Sequence, residues 1–89
     1  MLLHYDINVT GKVHGVFFRA TARSEADRLG LQGFARNEDD GSVHIEVEGV
    51  RDNLDEFLTW CRKGPPHALV DSVKAATGEL QGFRGFHVR

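Results

Sequence analysis

The stretch LHYDINVTGKVHGVFFRA, residues 3–20, joins two kinds of sequence pattern through a glycine-bracketed loop. In its first half, apolar residues alternate with polar ones, which is the period of a strand with one buried face. From Phe18 onward, apolar residues recur at helical spacing through Ala22, Ala26 and Leu29, and Gly30 is a typical helix stop. The stretch therefore predicts a strand that runs through a short loop into a helix, and the elements that follow it decide the fold.

The rest of the chain repeats this order with one additional strand. The segment LQGFARN (31–37) predicts a second strand, and Asp40-Gly41 is a strong turn signal before a third, alternating strand over 43–48. A second helix is predicted because four apolar residues share one helical face: Leu54, Phe57, Leu58 and Cys61. The Gly-Pro-Pro of 64–66 ends this helix. LVDSVKAAT (69–77) predicts a fourth strand and FHVR (86–89) a short last one.

This order predicts an α+β fold, the ferredoxin-like split βαβ sandwich. We expect an antiparallel sheet of four main strands plus a short C-terminal strand, with the two helices on one face. In this plan the first two strands run parallel and the third lies antiparallel between them. The glycine loop and Asn37 then emerge at the same edge of the sheet, about 10 Å apart at two strand spacings.

Composition limits the classes of function. With 89 residues we expect one domain over 1–89. The net charge of −2 argues against a nucleic-acid partner, and no apolar run is long enough to span a membrane. The single cysteine, Cys61, cannot form an internal disulfide. We therefore expect a cytoplasmic monomer.

The loop GKVHGVFFR, residues 11–19, has the features of an anion site. A loop before a helix N-terminus presents free backbone N–H groups and the positive end of the helix dipole, and Arg19 adds a guanidinium. The spacing matches neither the dinucleotide fingerprint nor a Walker loop. On these residues alone, a loop that merely turns the chain remains an alternative.

Two blocks add specificity to this interpretation. GKVHGVFFR resembles the acylphosphatase signature G-x-V-x-G-V-x-F-R, and GFARNEDDGSV (33–43) resembles its partner G-[WF]-x-x-N-x-x-D-G-x-V. The resemblance implies that the phosphate is bound by Arg19 and the loop residues His14, Gly15, Val16, Phe17 and Phe18. It also implies that Asn37 positions the attacking water. His14 stands where glutamine is commonest and Phe34 where tryptophan is commonest, and neither departure removes a catalytic group.

The implied activity is hydrolysis of small acyl phosphates to carboxylate and inorganic phosphate. A carboxylate leaves without being protonated, because its conjugate acid has a pKa of about 4. Positioning and charge stabilisation by Arg19 and loop N–H groups are therefore sufficient. We expect no cofactor and no metal, and we expect inorganic phosphate, the product, to be a competitive inhibitor.

Several other residues are more simply structural. We interpret His14 as a tolerated loop residue, with electrostatic tuning of the site as the alternative. His4, His44 and His87 are interpreted as solvent-facing strand residues, and no two histidines have helical metal-ligand spacing. The acidic run 38–40 predicts a solvated hairpin turn rather than a calcium loop. Cys61 is expected in the core, and Trp60 is expected off the apolar helix face, where it shields an edge of the core. Phe83 and Phe86 are expected to pack, with contact to an acyl group as the alternative.

Other functions are possible for the same fold. RNA-recognition domains need aromatic residues on the central strands, and the predicted central strand SVHIEVEG (42–49) has none. Heavy-metal carriers need a loop with paired cysteines, and this chain has one cysteine. A small-molecule regulatory module would not explain Arg19 and Asn37 together. The acylphosphatase-like domain of hydrogenase-maturation carbamoyltransferases usually has Arg followed by Pro, whereas Ala20 follows here. A free-standing enzyme is the favoured interpretation.

Overall fold

Seven elements form one sheet with two helices in a computed structural model that describes residues 1–89. In chain order they are β1 (Leu2–Lys12), α1 (Phe18–Arg28), β2 (Gln32–Asn37), β3 (Val43–Val50), α2 (Arg51–Lys63), β4 (Leu69–Gly78) and β5 (Phe86–Val88). The strand order is β4-β1-β3-β2-β5. The first four strands pair antiparallel, so β1 and β2 are parallel with β3 between them, and the ferredoxin-like prediction is confirmed.

The short C-terminal strand is the one part of the sheet whose direction the sequence did not indicate. β5 pairs parallel to β2, with Gly33 opposite Phe86 and Ala35 opposite Val88. The five-stranded sheet is therefore mixed rather than wholly antiparallel. Phe86 packs its ring 6.1 Å from that of Phe57 on α2, which anchors β5 to the core.

The core lies between the helices and one face of the sheet, as the alternating strand patterns predict. Burial of these apolar side chains provides the main driving force for folding. The residues with no exposed surface are Ile7, Val9, Ala22, Ala26, Ala35, Val43, Ile45, Val47, Leu54, Phe57 and Cys61. Cys61 is thus a core residue, as expected, and burial raises the pKa of its thiol. Trp60 covers the core edge, with its ring centroid 5.2 Å from that of Phe18.

Each helix ends where the sequence indicates, at a glycine. Gly30 follows α1 with φ +68°, and the N–H groups of Gly30 and Leu31 donate to the carbonyl oxygens of Asp27 and Ala26. These two bonds form a Schellman motif, which satisfies the last carbonyls of the helix. The buried Leu31 then leads directly into β2. Neither helix has the length and apolar character needed to cross a membrane.

A crossing segment, residues 79–85, covers part of the sheet face opposite the helices. It connects β4 at one edge to β5 at the other. The backbone N–H groups of Gln81, Gly82 and Phe83 donate to the carboxylate of Glu48 on β3. Burial alone would raise the pKa of Glu48, but these N–H groups and the His4 ring outweigh burial and hold the pKa below its usual value.

His4 is a correction to the sequence interpretation. It lies on the strand face opposite the helices, as the alternation predicts, but only 3% of its surface is exposed. Its Nδ1 lies 2.7 Å from Glu48 Oε2, and its ring lies 6.0 Å from that of Phe83. The crossing segment therefore buries a residue that the period-2 pattern assigns to solvent. His44 on β3 is largely covered as well, whereas His87 is exposed as expected.

Candidate active site

The loop of residues 13–17 turns the chain from β1 into α1 and leaves its backbone exposed. Gly15 has φ +69° and Phe17 has φ +62°, and Val16 between them has negative φ. Alternation of backbone handedness of this kind turns successive N–H groups toward one concavity, which is an anion-binding nest. The buried side chains of Val13 and Val16 anchor the loop on the core, so that its backbone is held in place.

Phe17 is an unusual residue at this position. It is the one non-glycine residue in the chain with positive φ, and its side chain is 79% exposed. A bulky residue in the left-handed region carries strain, and such strain is concentrated at functional sites. Phe17 immediately precedes α1, and its carbonyl accepts the first helical bond, from the N–H of Thr21.

The N–H groups of this loop have no acceptor within the protein. None of the backbone N–H groups of residues 14–17 donates a hydrogen bond, and no side chain caps the N-terminus of α1. The first helical N–H groups also lack intrahelical partners. The free N–H donors and the positive end of the helix dipole therefore both lie at the N-terminus of α1, which favours a bound anion there.

His14 ties this loop to the β2–β3 hairpin. Its Nε2 lies 2.8 Å from the carbonyl oxygen of Ser42, so Nε2 carries the proton and donates it. The same carbonyl accepts the N–H of Glu38, the residue after Asn37. His14 is thus a tether between loop and hairpin, a more definite structural role than the tolerated loop residue expected from the sequence. Only its backbone is available to a phosphate.

Arg19 lies in the first turn of α1 with its guanidinium already oriented. Nη1 donates to the main-chain oxygen of Arg89 at 2.7 Å. A guanidinium has five N–H donors in a planar fork, so this bond fixes the plane and leaves most donors available. The residue that supplies the acceptor follows β5, so the C-terminal strand contributes to the orientation of Arg19.

Asn37 ends β2 and reaches the same pocket from the other side. Its register partner on β3 is Val43, which also pairs with Val9 of β1, so one strand separates the two parts of the site. The side-chain amide of Asn37 makes no hydrogen bond within the protein, which leaves both its oxygen and its nitrogen free. Because Val9 and Asn37 both pair with Val43, the ends of the parallel strands β1 and β2 lie at the same edge of the sheet, as predicted.

The pocket has a volume of about 290 Å³ and is mainly apolar. It is lined by Val13, Gly15, Phe17, Phe18, Arg19, Ala20, Asn37 and Val88. Arg19 is the one charged residue among them, so no carboxylate opposes a bound anion there. The sequence analysis identified Gly15, Phe17, Phe18, Arg19 and Asn37, and the structure brings them together, whereas the predicted loop residues His14 and Val16 do not line the pocket. Val13, Ala20 and Val88 were missed, and for Val88 no sequence signal indicated that β5 would pair beside β2.

The chemistry available in the pocket is limited to hydrogen bonding and positive charge. It contains a row of N–H donors, one guanidinium and one neutral amide, with an apolar wall beside them. No cysteine, carboxylate or histidine side chain lines it. Such a site can bind a tetrahedral anion and orient a neighbouring molecule, but it has no general acid and no protein nucleophile.

Comparison with known proteins agrees with this geometry. The chain matches the acylphosphatase family model over residues 5–88. It is 49% identical over 84 residues to an acylphosphatase of a Nocardioides species, covering 94% of this chain and 85% of that relative. The solved acylphosphatase of Coxiella burnetii superposes with a TM-score of 0.96 at 34% identity, over 99% of this chain and 93% of that one.

The Bacillus subtilis acylphosphatase structure gives a TM-score of 0.95 at 36% identity, and the match covers 100% of this chain and 99% of that chain. Family model, sequence relatives and structures therefore agree over nearly the full length. The chain belongs to the acylphosphatase family, whose members are enzymes that hydrolyse the carboxyl–phosphate bond of acyl phosphates.

Proposed function

We propose that this chain binds the phosphate of a small acyl phosphate with the N–H groups of residues 14–18 and the guanidinium of Arg19, while Asn37 orients the attacking water. The observation that carries the proposal is the convergence on one pocket of three kinds of group with free hydrogen-bonding capacity. These are the free loop N–H groups, the remaining N–H donors of the Arg19 guanidinium and the free amide of Asn37. Each matches a requirement of phosphoryl transfer to water.

The reaction needs little more than these groups. In the transition state the bond from phosphorus to the acyl oxygen breaks, its electron pair goes to the departing carboxylate, and the water oxygen bonds to phosphorus. The carboxylate leaves as an anion because its conjugate acid has a pKa of about 4. A phosphate oxygen accepts the proton of the attacking water, which yields inorganic phosphate. No step is assigned to a metal or cofactor.

The charge that develops on the equatorial phosphate oxygens is met by donors that are already in place. Val13 and Val16 hold the loop, and the main-chain oxygen of Arg89 holds the guanidinium plane. Preorganised donors of this kind cost no reorganisation during the reaction and provide most of the electrostatic stabilisation. The apolar wall of Phe17, Ala20 and Val88 lies beside them and suits the acyl group.

We further propose that the chain acts as a monomer in the cytoplasm, with inorganic phosphate as product and competitive inhibitor. The complete set of proposed site residues comes from one chain, which supports catalysis by a monomer. The buried Cys61 cannot form an internal disulfide, which agrees with a reducing compartment. The same cradle that binds the substrate phosphate would bind free phosphate.

The test is hydrolysis of benzoyl phosphate and acetyl phosphate by purified protein in the presence of EDTA, with p-nitrophenyl phosphate as a monoester control. We expect both acyl phosphates to be cleaved and the monoester to be spared, because an aryloxide is a poorer leaving group than a carboxylate. Arg19→Ala should lower kcat/KM by about a thousandfold or more. Arg19→Lys should recover little, since an ammonium lacks the planar fork.

Arg23→Ala provides the matched control, because Arg23 lies one turn further along α1, where it is exposed and paired with Asp27. It should leave turnover unchanged. Efficient cleavage of the monoester, loss of activity in EDTA, or equal effects of the two arginine substitutions would contradict the proposed mechanism.

A further inference from the structure

Three potential metal ligands meet on the sheet face opposite the helices. Asp6 on β1 lies directly opposite Glu46 on β3 in the strand register, and His44 lies two residues from Glu46 on the same face. One ligand atom from each of these residues lies within 4.8 Å of the other two. Pairing of β1 with β3 therefore brings together three potential ligands that the spacing of these residues in the sequence does not predict.

The ring nitrogen of His44 has an unusual environment. Nε2 is enclosed and has no partner with hydrogen-bond geometry. It nevertheless lies 3.0 Å from Asp6 Oδ1 and 3.5 Å from Glu46 Oε2. A cation with ligands at about 2.1 Å separates neighbouring ligand atoms by about 3.0 Å at octahedral angles and about 3.4 Å at tetrahedral ones. The two contacts therefore have the lengths expected for edges of a coordination polyhedron.

Neighbouring side chains hold the outward atoms of two of the three ligands. His44 Nδ1 lies 3.3 Å from Glu38 Oε1 and 3.4 Å from Arg36 Nη2, and Glu38 is in turn held by Arg36 at 2.8 Å. With Nε2 on a metal, Nδ1 carries the ring proton, and Glu38 is the neighbour that can accept it. Glu46 Oε1 lies 3.2 Å from Nε2 of the buried His4, which leaves Oε2 directed at the cluster. A carboxylate beside the second nitrogen of a ligating histidine, and a polar neighbour beside a ligating carboxylate, are typical supports of a metal site.

We propose that Asp6, His44 and Glu46 bind a divalent first-row cation, with Zn²⁺ as the probe, through His44 Nε2 and one oxygen from each carboxylate. One imidazole and two carboxylates suit such a cation better than Mg²⁺ or Ca²⁺, which prefer oxygen ligands alone. The ion would join β1 to β3. This site shares no ligand with the phosphate pocket, and the proposal is independent of the mechanism assigned to Arg19 and Asn37.

The simpler alternative is an ion-pair network, in which a charged His44 ring lies between the two carboxylates without a metal. Isothermal titration calorimetry distinguishes the two, with ZnCl₂ titrated into untagged full-length protein after dialysis against chelator. We expect one Zn²⁺ per chain. His44→Ala should weaken binding about a hundredfold, and Asp6→Asn about tenfold or more.

His67→Ala is the matched control, because it removes an exposed histidine in the loop before β4. It should bind Zn²⁺ like the parent protein. Since Asp6 is half exposed, Asp6→Asn should fold normally even if His44→Ala does not. The ring signals of His44 in an NMR titration should move with Zn²⁺ while those of His67 stay in place. No Zn²⁺ binding by the parent chain, or binding that survives both Asp6→Asn and His44→Ala, overturns the proposal.

Discussion

At the scale of single residues, the proposed mechanism gives two side chains different roles. Under it, Arg19 compensates the charge of the phosphate in both the bound substrate and the transition state. Asn37 has a free amide at the end of β2 and no structural hydrogen bond to lose. Its duty under the proposed mechanism is to hold water in line with the breaking bond, which matters mainly in the transition state.

Asn37→Ala should therefore lower kcat by about a hundredfold or more, a loss of about 3 kcal/mol, with little change in inhibition by phosphate. The measurement is steady-state kinetics with benzoyl phosphate, together with a phosphate inhibition constant and a thermal melt. Asn8→Ala serves as the control, because Asn8 on β1 donates to Ser42 Oγ instead of lining the pocket. Full turnover in a folded Asn37→Ala protein would leave Asn37 as an ordinary turn residue.

At the same scale, the sequence could place these residues but not all of their neighbours. Helical spacing and the strand order were enough to bring Arg19 and Asn37 to one edge of the sheet. The bond from Arg19 to the main chain at Arg89 joins residues that are 70 positions apart in the sequence. No local sequence pattern predicts such a contact. The contact between His44 and Asp6 on β1 could not be predicted for the same reason.

At the scale of elements, the crossing segment of residues 79–85 contributes both to the stability of the fold and to the geometry of the candidate active site. It contains no helix or strand, and the carboxylate of Glu48 is its main point of attachment. The segment leads into β5, whose Val88 lines the pocket and which precedes Arg89. Anchoring of this segment therefore also fixes the acceptor that orients Arg19.

Glu48→Gln should destabilise the protein by about 2 kcal/mol, because an amide oxygen cannot replace a charged acceptor for the backbone donors and would leave some of them unsatisfied. Glu79→Gln is the control: it changes an exposed carboxylate at the start of the same segment and should fall within about 0.5 kcal/mol of the parent. Urea unfolding of both variants is the measurement. Equal stability of the two variants would show that the carboxylate does not anchor the segment.

The crossing segment also explains why the sequence interpretation was wrong for His4. Alternation along β1 predicted which face His4 occupies, and that prediction was correct. Alternation cannot reveal whether a face is bare, because the cover comes from residues 79–85, which have no periodicity of their own. By contrast, the two helices, the inward-facing residues of the alternating strands and the order of the four main strands follow from local patterns, and these were predicted.

At the scale of the whole molecule, the anion site and the fold are coupled by mass action. A ligand that binds only the folded state raises the free energy of unfolding by RT ln(1 + [L]/Kd). The proposed cradle exists only when β1, α1, β2 and β5 are assembled, because its groups come from the loop, Arg19, Asn37 and the strand before Arg89. Phosphate should therefore stabilise the entire protein.

With phosphate at ten times its inhibition constant, the gain is about 1.4 kcal/mol, which for a chain of this size raises Tm by about 6 °C or more. The shift should vanish in Arg19→Ala, because the anion loses its one charged side-chain partner, and it should persist in Asn37→Ala, whose cradle is intact. Thermal melts in EDTA, with NaCl at matched ionic strength, separate this effect from metal binding and from general screening. A phosphate shift that survives in Arg19→Ala would place the anion elsewhere, whereas its loss in both variants would mean that Asn37 supports binding rather than the orientation of water.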